Sequence, residues 1–131
     1  MSRDKSQRIW RAGVAVAVFF LMGASSWAET RPAAEQAAID WLISQVKDSK
    51  AVFLRNGVEY NGEKAAAHLK SKLFFAGKRV QTARQFIVGV ASRSETSGKP
   101  YEIREKDGVQ QPLEKWLLEK LATLEKEGAP R

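Results

Sequence analysis

The sequence predicts an α+β fold: about four helices packed on a small antiparallel sheet formed by two hairpins, after a cleaved N-terminal signal peptide. Three observations carry this. Apolar residues recur at three- and four-residue steps in four separate stretches, the period of a helix with one buried face. Two stretches with strand-forming residues contain the turn dipeptides Asn56-Gly57 and Asp107-Gly108, as hairpins require. The first 28 residues have the layout of an export signal.

That signal is read from its three parts. Arg3, Lys5, Arg8 and Arg11 give a positive start, residues 12–24 form an apolar core, and Ser26-Trp27-Ala28 places small residues at the positions a signal peptidase reads. A core of about 13 residues falls short of the roughly 20 that span a bilayer, so no transmembrane segment is expected in the mature chain. Cleavage between Ala28 and Glu29 leaves residues 29–131 as a single α+β domain. The chain has no cysteine, so stability must come from a packed core rather than disulfides. Export of a cysteine-free product points to a bacterial periplasm.

In the first helix, residues 33–48, Ala34, Ala38, Ile39, Trp41, Leu42 and Val46 gather on one face. Pro32 stands where a helix start tolerates proline, and the polar Asp48-Ser49-Lys50 ends the run. Strands are expected near 51–55 and 58–60, joined at Asn56-Gly57, because both central residues of a tight hairpin turn need positive φ. Asn61 caps a second helix over 62–76, with Ala65, Leu69, Leu73 and Ala76 on one face and Ala66 beside them. His68, Lys72 and Phe75 share its flank, and Gly77 stops it. Thr82 caps a third helix that runs to about Ser92, with Ala83, Phe86, Ile87 and Val90 inward. Pro100 turns the chain toward a strand near Tyr101, where Tyr101 and Ile103 alternate with charged neighbours. Pro112 opens a last helix to about Glu127, its stripe formed by Leu113, Leu117, Leu121 and Leu124.

The formal charge is +7; loss of residues 1–28 removes four bases and one acid and leaves about +4. The distribution says more than the total. Between Lys64 and Lys99 eight bases (Lys64, Lys70, Lys72, Lys78, Arg79, Arg84, Arg93 and Lys99) face one acid, Glu95. A segment this one-sided suits an anionic partner, here an envelope component such as a lipid headgroup, lipopolysaccharide or cell-wall polymer, or a periplasmic protein. Nucleic acid is not expected in that compartment. One histidine and no cysteine exclude a multi-histidine or thiolate metal site, and no cofactor is expected.

The residues offering chemistry cluster in "ASRSETSGKPY", residues 91–101, which sets four hydroxyls, a glycine and a proline after an apolar run. A hydrolase would use His68 as base and Ser94 or Ser97 as nucleophile, yet no G-x-S-x-G elbow exists, and Glu63 lies on the wrong side of the helix to orient the ring. "SQVK" at 44–47 has the spacing of penicillin-interacting serine enzymes but lies mid-helix without their other motifs. "SGK" at 97–99 lacks the first glycine and the following helix of a phosphate loop. A plainer reading gives the serines to helix-end and turn amides, and His68 to a hydrogen bond with a neighbouring segment. The binding reading groups Arg55, Asn56, His68, Lys72, Ser92, Ser94, Ser97, Lys99 and Tyr101 into one polar, positive patch.

With those residues in view, the chain resembles the small exported bacterial proteins of domain of unknown function family 5329. "FLRNGVEYNGEKAAAHLKSK", "TARQFIVGVASRSETSGKPYEI" and "WLLEKL" carry the likeness, from Ile39 to Leu121. Its elements here are Arg55-Asn56-Gly57, Tyr60, His68-Leu69, Lys72, Ala91-Ser92, Ser94, Ser97-Gly98, Pro100-Tyr101 and Trp116-Leu117. Two departures are Ala51, where cysteine is common in relatives, and Arg84, where an acid is usual. The resemblance implies an exported single domain in which Arg55, His68, Lys72, the serine loop and Tyr101 form one arrangement. It implies no activity, cofactor or partner, since the family has none established.

Overall fold

The computed structural model describes residues 30–128; the signal segment 1–28 and the Ala28–Glu29 cleavage position lie outside the described residues. Its elements are α1 (Ala33–Asp48), β1 (Val52–Arg55), β2 (Val58–Tyr60), α2 (Gly62–Ala76), α3 (Ala83–Gly89), β3 (Glu102–Arg104), β4 (Gln110–Pro112) and α4 (Leu113–Glu127), with a 3₁₀ turn at Gly77–Arg79 between α2 and α3. Among the described residues the fold is α+β, four helices and one four-stranded antiparallel sheet.

The sheet order is β2-β1-β3-β4. Each hairpin supplies two strands, and they join where β1 pairs with β3. Asn56 and Gly57 turn the first hairpin with φ of 53° and 80°, the left-handed values that the dipeptide supplies at little steric cost. The second hairpin closes through Glu105 N–H to the Val109 carbonyl (2.9 Å) and Gly108 N–H to the Glu105 carbonyl (2.9 Å). Its strand β4 is "QQP", without strand-forming residues, and exists because Ile103 pairs with Gln111. Pairing, not propensity, makes it a strand.

One row crosses the sheet: Tyr60, Phe53, Ile103 and Gln111 are successive register partners. Phe53 and Ile103 are buried in it, and the Trp116 ring of α4 meets Phe53 edge-on at 6.4 Å. From α1, Ile39, Leu42 and Val46 are fully enclosed, and Leu69, Phe86, Ile87 and Leu117 join them from the other three helices. Helix α1 packs most closely on α2 and also touches α3 and α4, and so forms the centre of the helical layer.

Burial on α2 keeps Leu69 of the expected stripe and leans to its Ala66 side. Gly62, Ala66 and Leu69 are buried, while Ala65, Leu73 and Ala76 are only partly covered. The cause is at the start of the helix. A Cβ on Gly62 would lie 2.8 Å from the Lys47 carbonyl oxygen and closer still to that of Val46, so α2 begins in direct backbone contact with the end of α1. Helix α3 stops at Gly89, short of the expected Ser92. The Val90 and Ala91 amides both close on the Phe86 carbonyl (2.9 and 3.0 Å), which ends the regular ladder. At its other end, Thr82 Oγ1 accepts from Gln85 N–H (3.0 Å) and Glu35 of α1 accepts from Ala83 N–H (2.7 Å), so two side chains cap one short helix.

Gly62→Ala is expected to destabilise the fold by about 1–3 kcal/mol, the usual range for overpacking, although alanine is the better helix former. Urea unfolding of the variant checks this; unchanged or raised stability would show that α1 and α2 can separate there freely.

Candidate functional site

The site is built around Lys72, one helical turn after His68 on the flank of α2. Its ammonium donates to the Val90 carbonyl (2.7 Å), the Arg93 carbonyl (3.0 Å) and the Tyr101 hydroxyl (3.1 Å). An ammonium has three N–H groups, and all three are used. The carbonyls follow the end of α3, where helix acceptors lack partners within the helix and a cation is favoured. Lys72 Nζ also lies 4.8 Å from the centre of the Tyr101 ring, within cation–π range.

Tyr101 passes this polarity on. Its oxygen accepts from Lys72 and lies 3.2 Å from His68 Nε2. The two rings meet edge to face at 5.9 Å. With the imidazole neutral and Nε2 unprotonated, the phenol donates to that nitrogen, in the order ammonium to phenol to imidazole. His68 is accordingly held below the ordinary imidazole value of 6.5, first by burial, then by the Arg55 charge and then by the Lys72 charge.

The serine loop answers to its own backbone. Ser94 N–H bonds the Lys99 carbonyl (2.9 Å), Gly98 N–H the Ser94 carbonyl (2.8 Å) and Tyr101 N–H the Ser92 carbonyl (3.0 Å). Gly98 has φ of 74°, so the closure needs glycine there. Ser92 Oγ donates back to the Val88 carbonyl (2.6 Å). Ser94, wholly buried, shares its hydroxyl with Thr96 (3.0 Å) and with Asn56 Nδ2 (3.3 Å). Ser97 Oγ donates to Asn56 Oδ1 and accepts from Lys99 N–H (3.2 Å). Asn56, at the tip of the first hairpin, is thus the loop's second anchor.

Of the residues singled out from sequence, His68, Lys72 and Tyr101 form one chain, and Asn56, Ser94 and Ser97 form another. Ser92 is turned to the end of α3. The Lys99 side chain is exposed beside Asn56, Gly57 and Glu102. Arg55 lies near enough to His68 to act on its charge. The pair a hydrolase would need is not joined: His68 is bonded to Tyr101, and Ser94 to Asn56 and Thr96. Among the described residues no group of three or more histidine, aspartate and glutamate side chains is placed to hold a metal, and no helix is long and apolar enough to cross a membrane.

Two hollows flank the Lys72–Tyr101–His68 chain. A groove of about 750 Å³ is lined by Lys72, Phe75, Arg79, Arg84 and Val88, with Glu95 as its acid. A smaller cavity of about 120 Å³ lies between β1 and α2, walled by Phe53, Leu54, Ala65 and Leu69, with Arg55, His68 and Tyr101 among its polar groups. Beside the groove, Phe74 and Phe75 are 79% and 76% exposed, their rings edge to face at 5.5 Å. Sequence reasoning placed Phe75 on the flank with His68 and Lys72 but passed over Phe74. Adjacent helical residues point about 100° apart, and with Leu73 and Ala76 inward neither phenylalanine faces the core.

The chain matches the model of a family of unknown function, DUF5329, over residues 33–125. It is 39% identical over 89 residues to the uncharacterized protein YfeK of Salmonella typhimurium (strain LT2), covering 67% of this chain and 73% of that protein. No solved structure matches.

Lys72→Met leaves the Val90 and Arg93 carbonyls without their donor and is expected to cost about 1–3 kcal/mol, read from chemical unfolding; a loss below about 0.5 kcal/mol would mean that the loop holds itself. Because folding lowers the His68 pKa, the unfolded chain binds the proton more readily. Stability is therefore full above 6.5, falls as the pH drops through that value, and levels off below the folded pKa. The thermal midpoint between pH 8 and 5 reads this slope, and His68→Gln should flatten it, since the chain has no other histidine.

Proposed function

The chain belongs to DUF5329, a family of unknown function, and from that premise we propose that it is an exported, periplasmic, non-catalytic module that docks on the anionic lipid surface of the cell envelope. The exposed Phe74–Phe75 pair beside the cationic groove carries this reading. Two phenylalanines at the end of α2 hold large apolar area in water. Each would gain up to about 1.5–3 kcal/mol if fully buried.

The charges around them are mostly positive, with Glu95 as the acid on the groove wall. Arg79 and Arg84 line the groove, and Lys70 and Lys78 are exposed on the same stretch of chain. Arg79 is also folded back on the end of α2, donating to the Ala76 carbonyl (3.2 Å), which holds its charge beside the aromatic pair. Basic residues near an anionic lipid surface contribute about 1 kcal/mol each, and aromatic side chains settle at the boundary between headgroup and acyl chain. Lys72 adds little, because its ammonium is already committed to the fold. Arg84 adds its own positive charge to the groove wall.

Vesicle co-sedimentation with phosphatidylglycerol and with phosphatidylcholine tests the proposal. Binding is expected only to the anionic vesicles, to fall steeply between low and high salt, and to weaken at least tenfold in Phe74→Ser/Phe75→Ser and in Arg79→Glu/Arg84→Glu. Equal binding by the charge-reversed variant, or none by the native protein, would reject it.

A further inference from the structure

The smaller cavity lies on the other side of the Lys72–Tyr101–His68 chain and shares no lining residue with the groove. Its walls are apolar, from Phe53 and Leu54 of β1, Ala65 and Leu69 of α2, and Leu113 of α4. Arg55 also lines it, and the Arg55 Nε is buried with no hydrogen-bond partner among the described residues. A buried donor left unpaired costs free energy, and its presence in a native fold calls for an explanation. Here the explanation is a missing acceptor. The guanidinium fork suits a carboxylate, which can take two of its N–H groups at once.

Size and charge narrow the ligand. A dry cavity of about 150 Å³ holds a benzene ring, so about 120 Å³ suits one ring or a short branched chain. Arg55 and Lys64 line the cavity against the single acid Glu102, with the Lys72 ammonium behind Tyr101. We propose that the cavity between β1 and α2 binds a small carboxylic acid with a compact apolar body, its carboxylate on Arg55 and its body between Phe53, Ala65 and Leu69.

His68 on the cavity wall reports the bound charge. The groups facing it are Arg55 from β1, Lys64 and Lys72 from α2, Tyr60 from β2, and Tyr101 and Glu102 at the start of β3. Burial first, then Arg55 and Lys72, hold its proton affinity down, and a carboxylate laid on Arg55 offsets the Arg55 contribution. As the chain's single histidine, its ring resonances are read in NMR without assignment.

The experiment titrates the protein with sodium benzoate and sodium hexanoate, and with benzyl alcohol and acetate as probes lacking the charge or the body. Benzoate or hexanoate is expected to give saturable shifts at Arg55, Ala65 and His68, with a raised His68 pKa; benzyl alcohol and acetate should bind at least tenfold more weakly. Arg55→Gln should weaken benzoate tenfold and leave benzyl alcohol unchanged. Ala65→Phe, which fills the cavity without touching Arg55, should abolish all of it. No saturable shift with either acid, equal affinity for benzyl alcohol, or full binding by Ala65→Phe would overturn the proposal. The probe series on the native protein decides the matter even where Arg55→Gln does not fold.

Discussion

A half-buried ammonium gains most where each N–H has an acceptor, and Lys72 finds all three in one place: two carbonyls beyond α3 and the Tyr101 hydroxyl. Those acceptors belong to both ends of the serine loop, so one side chain on α2 fixes where α3 stops and where β3 begins. The hydroxyls that look like chemistry in the sequence are the loop's own cross-ties. Asn56 at the hairpin tip meets them from the sheet side, and the loop is held between a helix and a turn. Removing one partner from such a network costs more than the net value of the bonds, because the remaining groups stay buried and unpaired.

The same chain of contacts divides the surface. On one side Lys72 closes a basic groove beside two bare phenylalanines; on the other, His68 and Tyr101 back an apolar cavity with an unpaired Arg55 donor. Positive charge reaches both, but differently. In the groove it is carried by exposed arginines and is screened by salt. In the cavity it comes from partly enclosed groups in a less polar setting, and there burial first, then the Arg55 and Lys72 charges, lower the His68 pKa.

What the sequence disclosed and withheld follows from range. Local signals were sufficient for the helices and for the Asn56-Gly57 turn, whose period and φ demands are written within a few residues. One misplacement has a long-range cause: α3 ends early where Lys72, 18 residues back in sequence, takes the Val90 carbonyl; the second hairpin was expected from Asp107-Gly108, and its strand β4 is set by Ile103 opposite. Within the site, the four-residue step from His68 to Lys72 was legible, and so was the serine loop as a turn. The partner 33 residues from His68 was not. Gly62 gave no sign, since its need for a missing side chain is set by the end of α1. The Phe74–Phe75 pair was legible in principle, because two adjacent helical residues cannot both face inward here.

Amide hydrogen exchange of the native protein tests the central claim most directly. If Lys72 and Asn56 hold the loop as part of the core, the Ser94 and Tyr101 amides exchange as slowly as Leu42 at the centre of α1, through global unfolding alone. Exchange of Ser94 and Tyr101 orders of magnitude faster than Leu42 would contradict the account and return the loop to the surface as an independent segment.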